Sequence, residues 1–392
     1  MSAERSPAST ERQPVRGERK PIIMSAERSP AGAKRQPVRG ERKPIIMSAE
    51  RSPTGAERQP VRGERKPMPN GAAAYLAFPE ATHLFTEELH NRFGVAESEI
   101  ASFRRYGDVF VLPHALEKTP YWCRTALTEP FTFSFNSIGE AAAELKRIQR
   151  NWAPYGFTSF RRTALIQEKL PYVNMKPKTF PVKIPTSPIG VYMLTDDHTM
   201  LASARTTSFL PAGTLEFKED HENPPSRAYL KLQEALTHVY SRFGVLPGEG
   251  SRCFDAGACP GGWTWVLRQL GCTVLAVDRA ELAPKLMADP LVTFQKHDAF
   301  TLPPQEIGPF DWVCSDVICY PERLLEWVGK WLDSGMCRNM ICTIKMQGAI
   351  DWRVVERFAD IPDSTVLHLN YNKHELTWIH VDGADSRTEN AI

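Results

Sequence analysis

The sequence predicts an α/β protein: a doubly wound, Rossmann-like sheet in the second half, preceded by a smaller α+β domain and a repetitive tail. Three observations carry this. Apolar strand-like runs alternate with helical stretches from Arg252 onward, a glycine-rich loop follows the first of those runs, and residues 1–69 are three near-copies of one 23-residue unit. The domains expected are therefore residues 1–69, 70–220 and 221–392.

In the last domain, strands are predicted at Arg252–Ala256, Thr273–Asp278, Val292–His297, Phe310–Ser315, Asn339–Lys345, Thr365–Asn370 and Leu376–Val381. Helical stretches at Trp263–Leu270, Glu322–Leu332 and Trp352–Phe358 separate them. A ligand of such a sheet sits beyond the carboxyl ends of its first strands. In the middle domain, AAYLAFP and DVFVLP read as strands and HLFTEELHNRFGV as an amphipathic helix with Gly94 near its end. Ser137 and Glu140 have capping-box spacing for a helix that carries Ile138, Leu145, Ile148 and Trp152.

The net charge of +2 hides an uneven distribution. Residues 1–69 hold 16 Lys/Arg against 8 acids, residues 70–220 hold 16 against 16, and residues 221–392 hold 16 against 22. The repeats start at Met1, Met24 and Met47 and offer only an Ile-Ile pair among Arg, Pro, Glu and Ser, too little apolar surface for a stacked solenoid. They read as a disordered basic tail, either a solvated extension or a cationic arm for phosphates. Each copy begins with Met, and Met68 offers a further start that would leave a protein of net −6. No apolar run reaches the length of a membrane span and the polar start lacks a secretory core, so a cytoplasmic protein without membrane contact is expected. The eight cysteines include no C-x-x-C pair and mostly sit in apolar runs, which points to neither a metal site nor disulfides.

Between Lys146 and Lys183, nine cations (Lys146, Arg147, Arg150, Arg161, Arg162, Lys169, Lys176, Lys178 and Lys183) face a single acid, Glu168. Trp152, Tyr155, Phe157, Phe160, Tyr172 and Phe180 are interleaved with them. Cations neutralise phosphates and exposed rings stack on unpaired bases, so the stretch is the candidate RNA contact; DNA is not expected. The competing reading makes the rings core and the cations a solvated face.

The first predicted strand runs into Asp255-Ala-Gly257-Ala-Cys-Pro260-Gly261-Gly262-Trp263, where glycines allow close approach of a ligand before a helix opens. Asp278 ends the second strand, at the spacing at which an acid holds the ribose hydroxyls of an adenosine-type ligand, and Asp298 ends the third. Three strand-end acids in succession around this loop point to S-adenosylmethionine. Lys231, Asp316, Lys345 and Glu375 then form a charge-balanced set at element ends, suited to moving a proton off an alcohol during methyl transfer. Lys345 serves as the positioning group or the base, and Asp316 and Glu375 orient the two amines. On the fourth strand Ser315-Asp316-Val317-Ile318 lacks the Asn/Asp-Pro-Pro-aromatic run of an amino-methyltransferase. Cys319 precedes Tyr320-Pro321 instead of following a proline, so it reads as structural and not as the nucleophile of a pyrimidine C5 enzyme.

The segments SRAYLKL, DAGACPGGWT, CSDV, TIKM and HELTWIHV, in this order, resemble the FtsJ/RrmJ class of ribose 2′-O-methyltransferases, and the ACPGGWT loop resembles its bacterial ribosomal large-subunit branch. The resemblance covers about Pro225 to Val381. It implies a catalytic tetrad at Lys231, Asp316, Lys345 and Glu375, and S-adenosylmethionine contacts at Asp255, Gly257, Pro260, Gly261, Gly262, Trp263, Asp278, Asp298 and Asp316. It further implies a THUMP-type RNA-binding domain upstream and, as substrate, a cytidine of 23S ribosomal RNA. The alternatives are the same reaction on another RNA such as transfer RNA, or a noncatalytic RNA-binding assembly factor that has kept the fold.

Overall fold

The structure, a computed structural model, describes Gly63, residues 65–69 and residues 71–384. The repeats lie outside the described residues except for the end of the third copy. There Arg65–Pro67 forms a strand, β1, so folded structure begins before the boundary expected at residue 70. β1 is an exposed edge strand, and an edge strand of three residues needs no apolar alternation to announce it.

Residues 70–220 build two sheets where the sequence predicts one small domain. In the first, β2 (Ala73–Ala77), β3 (Arg104–Tyr106), β4 (Val109–Leu112) and β5 (Cys123–Leu127) pair antiparallel in the order β3-β4-β2-β5. In the second, β6 (Phe131–Ser134), β7 (Trp152–Pro154), β8 (Gly190–Leu194) and β9 (Thr199–Ser203) join β1 in the order β1-β6-β9-β8-β7. Several of these strands have only three to five residues, too short for a clear period-two signal. The helix Ile138–Ile148 starts as its cap predicts: the Ser137 hydroxyl accepts from Glu140 N at 3.2 Å, and Glu140 Oε2 accepts from Asn136 N at 2.9 Å. Trp152, placed on that helix by its spacing, instead lies in β7, fully buried, its indole N–H donating to Leu145 O at 2.9 Å.

The second half holds seven strands: β10 (Arg252–Ala256), β11 (Thr273–Asp278), β12 (Val292–Lys296), β13 (Phe310–Ser315), β14 (Cys337–Lys345), β15 (Ser364–Leu367) and β16 (Glu375–Val381). Their order is β12-β11-β10-β13-β14-β16-β15, and all run parallel except β16, which is antiparallel to both neighbours. The chain winds outward from β10 through β11 to β12, then returns to the other side of β10 at β13. That reversal is the topological switch point where such sheets open a crevice. One face is covered by the helices Tyr229–Phe243 and Gly262–Gln269, the other by Pro321–Ser334 and Trp352–Ala359. Cys253, Cys272, Cys314 and Cys342 are buried in these two cores as small apolar side chains. This is the Rossmann-like, doubly wound sheet the sequence predicts. Among the described residues no helix is long and apolar enough to cross a membrane.

The first sheet and the large sheet share a core. Phe85, Leu89 and Trp122 pack in one cluster with Trp352, Val355, Phe358 and Trp378. A polar link runs through it: Glu88 accepts from Tyr121 N at 2.9 Å, Trp122 N at 3.2 Å and Arg92 Nη1 at 2.7 Å, while Arg92 Nε reaches Glu356 at 3.2 Å. Ile184, Leu215 and Phe217 likewise pack with Tyr229 and Leu232, so the core runs across the boundary expected at residue 220.

Glu234, buried on the helix Tyr229–Phe243, accepts from Asn370 N at 2.9 Å, Asn370 Nδ2 at 2.7 Å and Tyr371 N at 3.1 Å, which pins the loop before β16. Burial pushes its carboxyl up to about 7, the hydrogen bonds only partly opposing it. The folded chain then holds a proton on Glu234 between about pH 4.5 and about 7 that the unfolded chain has lost, so this group's contribution to stability falls as pH rises through that window. Urea denaturation of Glu234→Gln against the wild type should show a smaller fall across that window, and parallel pH profiles would refute this. Glu88→Ala leaves Arg92 with the half-exposed Glu356 alone and two buried backbone N–H groups without an acceptor, with an expected loss of about 3 kcal/mol. Glu356→Ala, whose side chain is 43% exposed, should cost far less in the same denaturation experiment.

Candidate active site

Strand register brings the four candidate residues together. Asp316 directly follows β13, whose last residue Ser315 pairs with Ala256 at the end of β10 and with Cys342 in β14. Lys345 is the last residue of β14 and pairs directly with Glu375, the first residue of the antiparallel β16. Lys231 enters from above in the first turn of the helix Tyr229–Phe243. All four thus meet at the carboxyl edge of the sheet, beside the switch point.

There the charges interlock. Lys231 Nζ is ion-paired with Glu375 and stands 3.4 Å from Asp316 Oδ1. Lys345 Nζ stands 3.1 Å from the same Oδ1 and also donates to the backbone carbonyl of Asp316. Asp316 therefore bridges the two lysines, and Glu375 balances the second charge. Side-chain exposures of 12–19% leave each group partly screened from water but reachable. Burial alone would raise the Glu375 carboxyl, yet the Lys231 ammonium outweighs it and holds Glu375 below its ordinary value.

The glycine loop lies next to this cluster. Gly257 takes φ +76°, and a Cβ there would stand 2.9 Å from Val317, one residue beyond Asp316. A Cβ on Gly262 would meet the Ser226 hydroxyl at 2.5 Å. A larger residue at either position would have to displace Val317 after β13 or Ser226 ahead of Lys231, so glycine lets the loop pack against both segments. Pro260 is exposed and Gly261, at φ +109°, precedes the helix Gly262–Gln269.

The remaining candidate contacts divide into two kinds. Asp278 braces the loop, accepting from Cys259 N at 3.0 Å and Ala280 N at 2.9 Å. Asp298 caps the turn after β12 through Phe300 N and is gripped by Arg279 at 2.6 Å and Arg323 at 3.2 Å. Burial pulls its carboxyl up, but the Phe300 N–H and both guanidinium groups bring it below the ordinary value. Asp255 and Trp263 face inward: Asp255 is 1% exposed and accepts from the Thr264 hydroxyl at 2.6 Å, and the buried Trp263 donates its indole N–H to Ala228 O at 3.0 Å. These two act as staples of the loop and its helix. Arg279 and Arg323 were not singled out in the sequence, where a cation after a strand and one in a first helical turn look like ordinary surface residues. Cys319 carries a thiol that burial pushes up to about 11, in keeping with a structural role.

The basic aromatic stretch is split by the fold. Trp152 is core, and Tyr155 is committed to Asp108, accepting from its N–H at 2.9 Å and donating to its carboxylate at 3.0 Å. Phe157 is half-buried, and Phe180 packs edge-on to Phe217. Phe160 and Tyr172 remain open, 66% and 76% exposed. Lys146, Arg147, Arg150, Arg161, Lys169, Lys176 and Lys183 are exposed, whereas Arg162 lies over the Phe135 ring and the Lys178 ammonium donates to Asn174 O at 2.6 Å.

Comparison with known proteins finds similarity in this half of the chain. A family model described as FtsJ-like methyltransferase matches residues 224–331, which include Lys231, the glycine loop, Asp278, Asp298 and Asp316. Ribosomal RNA large subunit methyltransferase M of Xylella fastidiosa is 36% identical over 173 residues, 42% of this chain and 47% of that protein. The protein of the same name from Halorhodospira halophila is 40% identical over 160 residues, covering 40% and 46%. The chain spans about half the length of the curated relatives it matches. Among solved structures, human methyltransferase 10 domain containing protein matches with a TM-score of 0.29 and 14% identity, over 40% of this chain and 82% of that one. Over residues 224–331, the chain carries an FtsJ-like methyltransferase domain.

Proposed function

We propose that the protein transfers a methyl group from S-adenosylmethionine to a ribose 2′-hydroxyl of RNA, with a cytidine of 23S ribosomal RNA as the target and the cytoplasm as the compartment. The observation that carries the reading is the convergence of Lys231, Asp316, Lys345 and Glu375 beside a loop that only glycine can form. The similarity to proteins named ribosomal RNA large subunit methyltransferase M supports the choice of RNA.

The switch point suits the cofactor: Gly257 and Gly262 let the loop pack tightly against Val317 and Ser226, Pro260 and Gly261 belong to the same loop, and Asp278 and Asp298 stand at successive strand ends for the ribose and adenine. When bound, S-adenosylmethionine supplies an electrophilic methyl group. The chain's own residues handle the nucleophile. Lys345 Nζ is held by two oxygens of Asp316, and a lysine nitrogen has three hydrogen-bonding positions. The third position serves a substrate hydroxyl, as donor when the nitrogen is an ammonium and as proton acceptor when it is an amine. Lys231, fixed between Glu375 and Asp316, keeps the Asp316 carboxylate oriented toward Lys345. The exposed cations Lys146, Arg150, Arg161, Lys176 and Lys183, with Phe160 and Tyr172, are the residues offered to the RNA.

Lys345→Ala should lower the methyl-transfer rate by about 10²–10⁴-fold while S-adenosylmethionine affinity, read by calorimetry, stays near wild type. Unchanged turnover would remove Lys345 from the mechanism. An RNA in which the target nucleoside is 2′-deoxy should accept no methyl group at that position; methylation detected there by mass spectrometry would refute ribose as the acceptor.

A further inference from the structure

A cavity of about 290 Å³ lies between the four-stranded sheet and the methyltransferase sheet, and none of Lys231, Asp316, Lys345 and Glu375 lines it. Its walls come from both lobes. Arg124 projects from β5, Ser208 follows β9, and His238 and Arg242 belong to the helix Tyr229–Phe243. Lys231, Glu234, His238 and Arg242 are spaced three, four and four residues apart, so they form one stripe of that helix. At 1.5 Å per residue, Arg242 stands about 16 Å along the axis from Lys231, well removed from the cluster at the helix start.

Two guanidinium groups line the cavity, and the acids that act on Arg124, Glu80 and Asp108, are not among its walls. Among the described residues neither Arg124 nor Arg242 forms an ion pair: Arg124 Nε has no hydrogen-bond partner, and Arg242 lies over the Phe209 ring at 5.4 Å. The Phe209 ring in turn meets the His238 ring edge-on at 5.5 Å, which fixes both side chains on one wall. Arg242 is exposed at the end of its helix, whereas Arg124 is half-buried and burial lowers its guanidinium from the ordinary value. Glu234 is the one carboxylate on the wall, and its oxygens are already taken by Asn370 and Tyr371. Two further wall residues that are more than nine-tenths buried keep a polar atom without a partner, Tyr121 Oη and His368 Nδ1.

Arg124 Nε is buried without a partner in a wall that a second guanidinium also lines, so an anion that enters the cavity gains charge-assisted hydrogen bonds that the protein does not itself supply. Arginine's planar fork matches the oxygens of a phosphate, and two forks from opposite walls match it better than one. We propose that this cavity is a phosphate-binding site, closed by Arg124 from one lobe and Arg242 from the other, that ties the two lobes together when filled. The volume suits a phosphate group with a little of what it is attached to. A second cavity of about 600 Å³ shares Arg124 and Leu210 with the first and is lined by Tyr155, Tyr172 and Lys183, so the rest of a phosphate-bearing ligand has room beyond Arg124. The phosphate belongs to an RNA strand or to a free small molecule. The site goes beyond the methyl-transfer reading and does not need it.

The test is calorimetric titration of the full chain with inorganic phosphate, using chloride at matched ionic strength as the blank, and of the same chain with a short single-stranded RNA. A free ligand predicts saturable phosphate binding that Arg242→Gln weakens at least tenfold and Arg242→Lys partly restores. An RNA strand predicts instead that Arg242→Gln weakens RNA binding and lowers the slope of log K against log salt by about one. Arg124→Gln reads the same site from the other lobe; should it fail to fold, Arg242→Gln at an accessible helix end still decides. Wild type and Arg242→Gln binding both ligands equally, or neither binding phosphate or RNA, overturns the proposal. Methyl transfer by the wild type is measured alongside, so that its absence with phosphate bound removes only the catalytic reading.

Discussion

The antiparallel insertion of β16 between β14 and β15 is the constraint on which the site rests. Were all seven strands parallel, the first residue of β16 would sit at the opposite edge of the sheet. A seven-residue strand rising about 3.3 Å per residue would then carry Glu375 roughly 20 Å away from Lys345. With β16 reversed, the two become direct register partners, and the loop from β15 has to cross the carboxyl edge to reach it. That crossing loop is the one held by Glu234, from the same helix that delivers Lys231. One buried carboxylate therefore positions both the helix and the strand start that bring the Lys231–Glu375 pair together.

The large sheet was legible because its strands are buried on both faces and read as continuous apolar runs, set off by helices of ordinary length. Six of its strands start and end within two residues of the predicted limits. β15 is shorter than predicted because the chain turns away after Leu367 to form the crossing loop. The candidate site was legible for a related reason: strand ends are where a parallel sheet exposes chemistry, so acids and amines at those ends stood out. Which of them face inward was not. Asp255 and Trp263 carry the sequence pattern of ligand contacts, yet Thr264 and Ala228 claim their polar atoms, and only three-dimensional packing reveals such competition. The first 150 described residues were read less well. Their strands are short and their exposed rings and buried rings share one stretch, so Trp152 and Tyr172 look alike until the fold separates them.

Continuity of the core across both lobes bears on how a substrate would be presented. Domains joined by a flexible linker meet through small polar surfaces and move against one another. Here Phe85 and Trp122 share an apolar cluster with Trp352 and Trp378, and Arg92 and Glu356 add a polar tie. Phe217 N donates to the Tyr371 hydroxyl at 2.8 Å near the same crossing loop. The exposed cations and rings of the upstream lobe and the cluster of Lys231, Asp316, Lys345 and Glu375 then keep a fixed spacing, set by a shared core and not by a linker.

Strand β1 gives the repeats an unexpected property. Gly63 donates its N–H to Glu140 at 3.1 Å, a Cβ on it would collide with Ser134 O at 1.9 Å, and Arg65 places its guanidinium 5.3 Å from the Phe131 ring. The pattern Gly-Glu-Arg-Lys-Pro that supplies these features is spelled three times, at Gly17–Pro21, Gly40–Pro44 and Gly63–Pro67. The edge of the sheet uses the copy nearest to it. Gain or loss of whole units upstream therefore leaves the same five letters at the point of docking, and the number of repeats can drift in evolution without any demand on the fold that follows.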